Sequence, residues 1–464
     1  MSHGRPSAAS SADYLARLAR LAHRVRVDDL APAAVDAARN VVLDTLGAIL
    51  AGSRLPENAR LADLAVERSG MRTATVIGRA RKADPMLATL ANGTAGVSLE
   101  VDEGNRWGGG HPAIHVLPAA LAVAEELGTD GGRLIEALVA GYEITSRLGG
   151  ATRPRPNLHS HGTWGTAGAA VAVARLRGHE ASALRTVINL ATSMSPANSW
   201  APCFEGATIR NLYPGRAGLQ GILAVHLLAC GFTAVADAPA DVYGTLLAEG
   251  FDSDAAVEGI GDDDRVSGFR IERNYFKFHA CCLYNHPALD AVHAIAGEHG
   301  VTADAVERIA ITSIPFVTRM ADPEPANMLA AKFSVPYAVA AALVRGTTDV
   351  SAFLDGARDD LRIRHLAARV DVRADPSMSL RGSEGPTARV AVTLRDGRIL
   401  TRDTTIVHGD AANPRPREEL VAKFMALAAD TLPSAHAREV VEVVGRLERL
   451  KSVSELTALL TSVR

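Results

Sequence analysis

The chain has 464 residues and a formal net charge of −3, with 49 Lys and Arg against 52 Asp and Glu and no long cationic block, which excludes the footprint of a nucleic-acid binder. Hydrophobic residues make up 47% and aromatic ones only 4%, so the core must be filled mainly by Ala, Val and Leu, a composition suited to closely packed helices. This length allows two or three domains.

In chain order, residues 1–10 read as a polar tail without the apolar core of a signal peptide. No later run reaches the ~18–20 apolar residues of a membrane span, so a cytoplasmic protein is expected. From residue 11 to 267 apolar residues recur at threes and fours with breaks at Gly or Pro, which predicts a large all-helical domain. Helices are expected over Ala37–Ala51, Val116–Leu127 and Gly132–Leu148. In Gly165–Leu176, Gly and Ala on successive turns predict a core helix that a neighbour approaches closely.

The texture changes at residue 268. Val306–Ile314 and Ala388–Leu394 alternate as strands do, and Asp396-Gly397 signals a hairpin into Arg398–Thr401. Helices over Asp290–Gly300 and Ala331–Leu343 are expected to cover one face of an antiparallel sheet, giving a smaller α+β lid domain over 268–411. Helical pattern returns over Arg417–Thr431 and Ala437–Arg446, so 412–464 is expected to rejoin the first domain. Cys203, Cys230, Cys281 and Cys282 lack Cys-x-x-Cys spacing and read as reduced thiols.

Chemistry concentrates in four segments. Leu99–Ala119 places Glu100, Asp102 and Glu103, an Arg, three glycines (Gly108 to Gly110), His111 and His115 in a loop suited to a small charged ligand, with Pro112 expected to hold the chain extended after His111. Leu158–Gly165 puts His159 and His161 just before the small-residue helix, whose N-terminus favours an anion. Glu205–Gly215 offers Arg210 as a planar fork for a carboxylate, beside Tyr213. Tyr275–His286 carries Lys277, His279 and His286 at the expected domain junction, where ligands often bind. His111 and His115 are spaced i, i+4, but Pro112 and the glycines argue against a helix displaying both. With no HExxH and no cysteine ligand set, no metal is expected.

Seven motifs together resemble the MmgE/PrpD superfamily. They are Asp44-Thr45-Leu46-Gly47 with Ala51-Gly52; Glu100 to Glu103 before His111-Pro112; Gly141-Tyr142-Glu143; His159 with Gly162-Thr163 and Gly165; Arg210 to Gly215; Lys277 with His286 and Asp290-Ala291; and Lys332 to Tyr337. The superfamily includes 2-methylcitrate dehydratase, cis-aconitate decarboxylase and iminodisuccinate epimerase. The resemblance implies a helical domain plus a smaller α+β lid with the active site between them, a homodimer, no metal or organic cofactor, and a small di- or tricarboxylate substrate. Carried onto this chain, it implies a site of His111, His159, Arg210 and Lys277, with Glu100 and Asp102 behind them.

Reactions of such acids pass near a carbanion beside a carboxylate, which needs fixed cations and a proton carrier. His159 is expected as base and Lys277 or His111 as acid, with Tyr213 and Tyr142 as secondary donors. Arg210, with a pKa above ~12, is assigned to binding, and His161, His279 and His286 complete the candidate binding set. The reading favoured by the sequence is a cofactor-independent lyase, most simply a dehydratase. The alternatives are an epimerase, a cis-aconitate-type decarboxylase, and a non-catalytic carboxylate-binding protein.

Overall fold

A computed structural model describes residues 11–379 and 387–461; the polar tail over 1–10 lies outside the described residues. The first half is built from α1 (Ser11–Arg24), α2 (Pro32–Gly52), α3 (Pro56–Arg68), α4 (Pro85–Val97), α5 (Pro112–Leu127), α6 (Gly131–Ala151), α7 (Gly165–Leu176), α8 (Ala181–Ser193) and α9 (Leu212–Ala229). Starts are written locally: Asp84 caps α4 by accepting Met86 N–H at 2.9 Å with Pro85 at the first helical position, and Asp130 caps α6 through Arg133 N–H at 2.8 Å.

The small-residue helix α7 is buried along its whole length and packs against α5, α6 and α9. Its contact with α6 is backbone on backbone. A Cβ at Gly141 would lie 2.6 Å from the Gly168 carbonyl oxygen, and one at Gly168 would lie 2.4 Å from that of Gly141. The expected close approach is therefore real, and glycine on both sides is what permits it.

The first half is not purely helical. Two short ribbons interrupt it, β1 (Ala74–Thr75) with β2 (Lys82–Ala83) and β3 (Thr152–Pro154) with β4 (Ala248–Phe251), and Pro239–Leu247 forms a π-helical turn. None carries enough alternating residues to register as a strand in sequence.

The second half contains a four-stranded sheet of order β6-β5-β7-β8, from β5 (Val306–Ser313), β6 (Val370–Ala374), β7 (Ala388–Leu394) and β8 (Ile399–Thr404). The Asp396-Gly397 hairpin forms as expected, with Gly397 at φ 89°. Helices α10 (His286–His299) and α11 (Val335–Arg345) pack on the sheet, burying Leu289, Val292 and Val339 with Ile309, Ile311, Val390 and Val392. Two expectations need correction. The sheet is mixed, because β6 runs parallel to β5; the 56-residue stretch between them contains helices, and parallel neighbours require such a crossover. The helix expected over Ala331–Leu343 is broken, because Ser334 caps a new helix through Tyr337 N–H at 3.1 Å and Pro336 opens it.

The C-terminal helices α12 (Arg417–Ala428) and α13 (Ser434–Val444) return to the first half. Lys423 Nζ pairs with the buried Asp44 carboxylate of α2 at 2.6 Å, and Thr431 Oγ1 donates to Leu50 O at 3.0 Å. All four cysteines are free thiols, and among the described residues no helix is long and apolar enough to cross a membrane.

Candidate active site

The loop after α4 turns inward at Glu100, which adopts φ 55°, a left-handed conformation rare for a residue with a side chain. Backbone pairing of Gly104 with Tyr275, at 3.0 and 2.8 Å, ties this loop to the strand-like segment carrying Lys277. Asn105 pairs with Gly110 and closes the glycine turn, with Gly109 at φ 61°. Pro112 does not hold the chain extended: it is the first residue of α5, where its fixed φ suits a helix and its missing N–H is not needed. His111 is left just outside the helix.

Three buried carboxylates of the loop then take different partners. Glu100 is bridged by two cations, the Arg210 guanidinium at Oε1 and Lys277 Nζ at Oε2, 3.0 Å away. Burial alone would raise its pKa, but Arg210 and then Lys277 outweigh burial and bring it to about 2. Burial works against both cations too, and Glu100 beside them holds their pKa values above the ordinary range. Asp102 accepts His111 Nδ1–H at 2.8 Å; its carboxyl, which burial would raise, is held down by His111 and Lys277. Glu103 accepts Ala113 N–H at 2.8 Å and Tyr142 O–H at 2.9 Å, and burial pushes it up to about 8.

A cavity of about 260 Å³ opens above this cluster. Glu100, His111, His159, His161, Arg210 and Tyr275 line one side. The imidazoles are not equivalent. His111 Nδ1 is turned to Asp102, which leaves Nε2 toward Tyr275 Oη at 3.4 Å. His159 Nδ1 accepts the His161 backbone N–H at 3.0 Å, so a neutral His159 carries its hydrogen on Nε2, a buried atom with no partner among the described residues. Burial, then the Arg210 charge, keep His159 neutral by pushing its pKa well below the ordinary value. In that tautomer His159 presents a hydrogen-bond donor at Nε2. His161, 4.4 Å ring to ring from His111, is likewise held neutral, by burial and then by His111. His115 is locked between His111 O at 2.6 Å and Gly162 N–H at 2.8 Å, and burial brings it to about 4.

Of the residues singled out from sequence, the cavity brings together Glu100, His111, His159, His161 and Arg210. Lys277 and Asp102 stand behind Glu100 and His111 without lining it. Tyr142 is fully buried on Glu103, and Tyr213 donates to Ser199 O at 3.4 Å. His279 and His286 lie outside the cavity. His279 sits between Thr348 and Asp290, at 2.5 and 3.0 Å, and His286 Nε2 donates to Cys281 O at 3.2 Å. Sequence reasoning missed Tyr275 and the opposite wall of Trp200, Tyr284, Phe316 and Phe333. Tyr275 had a signal, since it opens the segment carrying Lys277. Among the described residues no three His, Cys, Asp or Glu side chains are placed to hold a metal ion.

A cavity lined by a carboxylate-backed imidazole, a second imidazole and a paired arginine holds the groups and fixed charge that acid–base chemistry uses. Residues 16–253 match the MmgE/PrpD N-terminal domain and residues 279–449 the MmgE/PrpD C-terminal domain. The chain belongs to the MmgE/PrpD family. It is 27% identical to the cis-aconitate decarboxylase of Homo sapiens over 463 residues, covering 94% of this chain and 92% of that protein. It is 22% identical to the cis-aconitate decarboxylase of Aspergillus terreus over 471 residues, covering 95% and 94%.

Proposed function

We propose that the protein is a cofactor-independent lyase that decarboxylates a small unsaturated di- or tricarboxylate. The observation that carries this reading is the inequality of the cavity's imidazoles: His111 is backed by a carboxylate and presents Nε2, whereas His159 is locked as a neutral donor. Dehydration needs a base and an acid, and epimerisation needs proton carriers on two faces. Decarboxylation needs one proton delivered after the bond to the departing carboxylate breaks. The bond's electron pair passes into the conjugated carbon–carbon double bond and its carboxylate, carbon dioxide leaves, and the carbanion takes the Nε2 proton of a His111 that enters the step as the imidazolium, its Nδ1–H held by Asp102. Solvent then returns the proton to His111. His159, which lines the cavity, supplies an Nε2–H for the oxygen on which charge develops, and Arg210, held by Glu100, supplies a fixed positive field beside it.

The named activity of both relatives supports this choice over the dehydratase favoured by the sequence. Dehydration stays as the second reading because Tyr275 Oη, 3.4 Å from His111 Nε2, could protonate a leaving hydroxyl. The same proposal includes the domain division at 268 and 411, a homodimer and a cytoplasmic setting; sedimentation of the purified protein tests the dimer. The experiment on the reaction is proton NMR in deuterium oxide on chelator-treated protein with cis-aconitate, citrate, 2-methylcitrate, malate and iminodisuccinate. Release of carbon dioxide with deuterium entering the product, abolished in His111→Gln, is the expected result. A vinylic product from a hydroxy acid points to the dehydratase, and exchange at an intact α-carbon to the epimerase. Binding without turnover across the panel leaves a carboxylate-binding protein.

A further inference from the structure

The cavity has a second wall that the proton chemistry does not use. Trp200, Tyr284 and Phe316 line it with rings 4.6–6.2 Å apart, and Phe333 continues it beneath the Arg210 guanidinium, 5.3 Å from its ring. In a chain with only 4% aromatic residues this gathering is costly in composition, and Trp200, Tyr284 and Phe316 line the cavity while only partly buried. Apolar surface of this kind in a closed site is covered by a ligand. The wall is also joined to the chemistry, because the His159 ring stacks on Trp200 at 3.9 Å between centroids.

Charge on the opposite wall is limited. Arg210 and Lys277 are both engaged by Glu100, and Arg106 by Asp410 at 3.0 Å. Arg155, at the mouth, is exposed and hydrogen-bonds the Ala248 carbonyl at 3.4 Å; among the described residues no carboxylate pairs with it. Beyond the carboxylate that Arg155 receives and the one that leaves as carbon dioxide, a third would meet no uncommitted lining cation among the described residues, with Glu100 itself facing the cavity, and an unpaired buried charge is strongly disfavoured.

We infer that the substrate is a dicarboxylate whose reacting carbon skeleton carries an apolar group, aryl or branched alkyl, seated on the Trp200–Phe316 wall, with Arg155 receiving the distal carboxylate. This rests on the carboxylate-lyase reading and narrows it.

The test is calorimetric binding of three unreactive acids to the full chain: succinate, 2-benzylsuccinate and the tricarboxylate propane-1,2,3-tricarboxylate. The expected order is 2-benzylsuccinate at least tenfold tighter than succinate, and the tricarboxylate no tighter than succinate. Phe316→Ala, at a half-buried ring of this wall, should erase the benzyl advantage, and Phe316→Tyr should restore it. Arg155→Ala should weaken succinate and 2-benzylsuccinate alike. Equal binding of the benzyl and plain acids, or an advantage that survives Phe316→Ala, overturns the assignment of the wall. A tricarboxylate tenfold tighter than succinate overturns the charge argument while leaving the lyase reading intact. If none of the three acids binds, the carboxylate reading itself fails and this inference with it.

Discussion

Replacing Glu100 with Gln removes the anion from between Arg210 and Lys277 while keeping its shape. The magnitude can be worked from the site. Moving the carboxyl from 4.5 to about 2 on folding corresponds to roughly 3 kcal/mol of stability at neutral pH. Removing one partner from a buried cluster leaves uncompensated charge and costs about 3–5 kcal/mol, a large part of the ~5–15 kcal/mol that holds a typical domain folded. A pKa depressed by folding gives stability that is complete above the unfolded value and is lost as pH falls toward the folded one. The wild-type advantage over Glu100→Gln should therefore shrink below pH 4.5, by roughly 1 kcal/mol at pH 3.5. Guanidinium denaturation of both proteins from pH 7 to 3.5, followed by far-ultraviolet circular dichroism, measures this. A difference under about 1 kcal/mol at pH 7, or one that does not change with pH, would refute the view that Glu100 is ionised and bridges the two cations.

Other outcomes follow from the same geometry. His159→Gln keeps an N–H donor near the position of Nε2 and should retain turnover within about thirtyfold, whereas His159→Ala should lose about 10²–10³ in kcat; equal and complete loss in both would restore His159 as a base. A Cβ at Gly104 would lie 2.2 Å from Tyr275 Oη, so Gly104→Ala should displace that hydroxyl from His111. If it does, Gly104→Ala and Tyr275→Phe should lower kcat about tenfold each and be non-additive in combination, and additive losses would separate the two sites. Glu103 has its pKa raised on folding to about 8, so the native state holds the extra proton and stability falls as pH climbs from 4.5 toward 8. Glu103→Gln should flatten that fall in thermal melts between pH 5 and 8, and an unchanged slope would show that the carboxyl is ionised throughout.

The helical half was legible because its cues are local: the period of apolar residues, breaks at Gly or Pro, and the small residues of Gly165–Leu176 that signalled a close helix approach, realised in the Gly141–Gly168 contact. The Asp396-Gly397 hairpin was legible for the same reason. Strand β6 was not, because it is five residues long, none of them buried, and its place beside β5 is decided by a 56-residue crossover. The Leu99–Ala119 segment announced a site through residue types, and Glu100 and His111 do reach the cavity. Pro112 was misread because the residue before a proline is extended in either case; only the eleven or more buried positions that follow reveal that the proline begins a helix. The aromatic wall was not legible as a unit: Tyr284 and Phe333 lie in segments that drew attention for other residues, and Trp200 and Phe316 lie in segments with no spacing in common with them.

Roles proved harder to read than positions, and His159 shows why. Sequence supplies an imidazole before a helix, and an unperturbed imidazole is a plausible base. What decides its behaviour is which nitrogen the backbone occupies. The turn that places His161 N–H on Nδ1 fixes the hydrogen at Nε2, and protonation would set an N–H against an N–H as well as a cation beside Arg210. His111, far along the chain from that turn, is oriented instead by the Asp102 carboxylate at Nδ1. One carboxylate and one backbone amide thus put two chemically identical side chains in opposite hydrogen-bond settings, Nδ1 donating in His111 and accepting in His159.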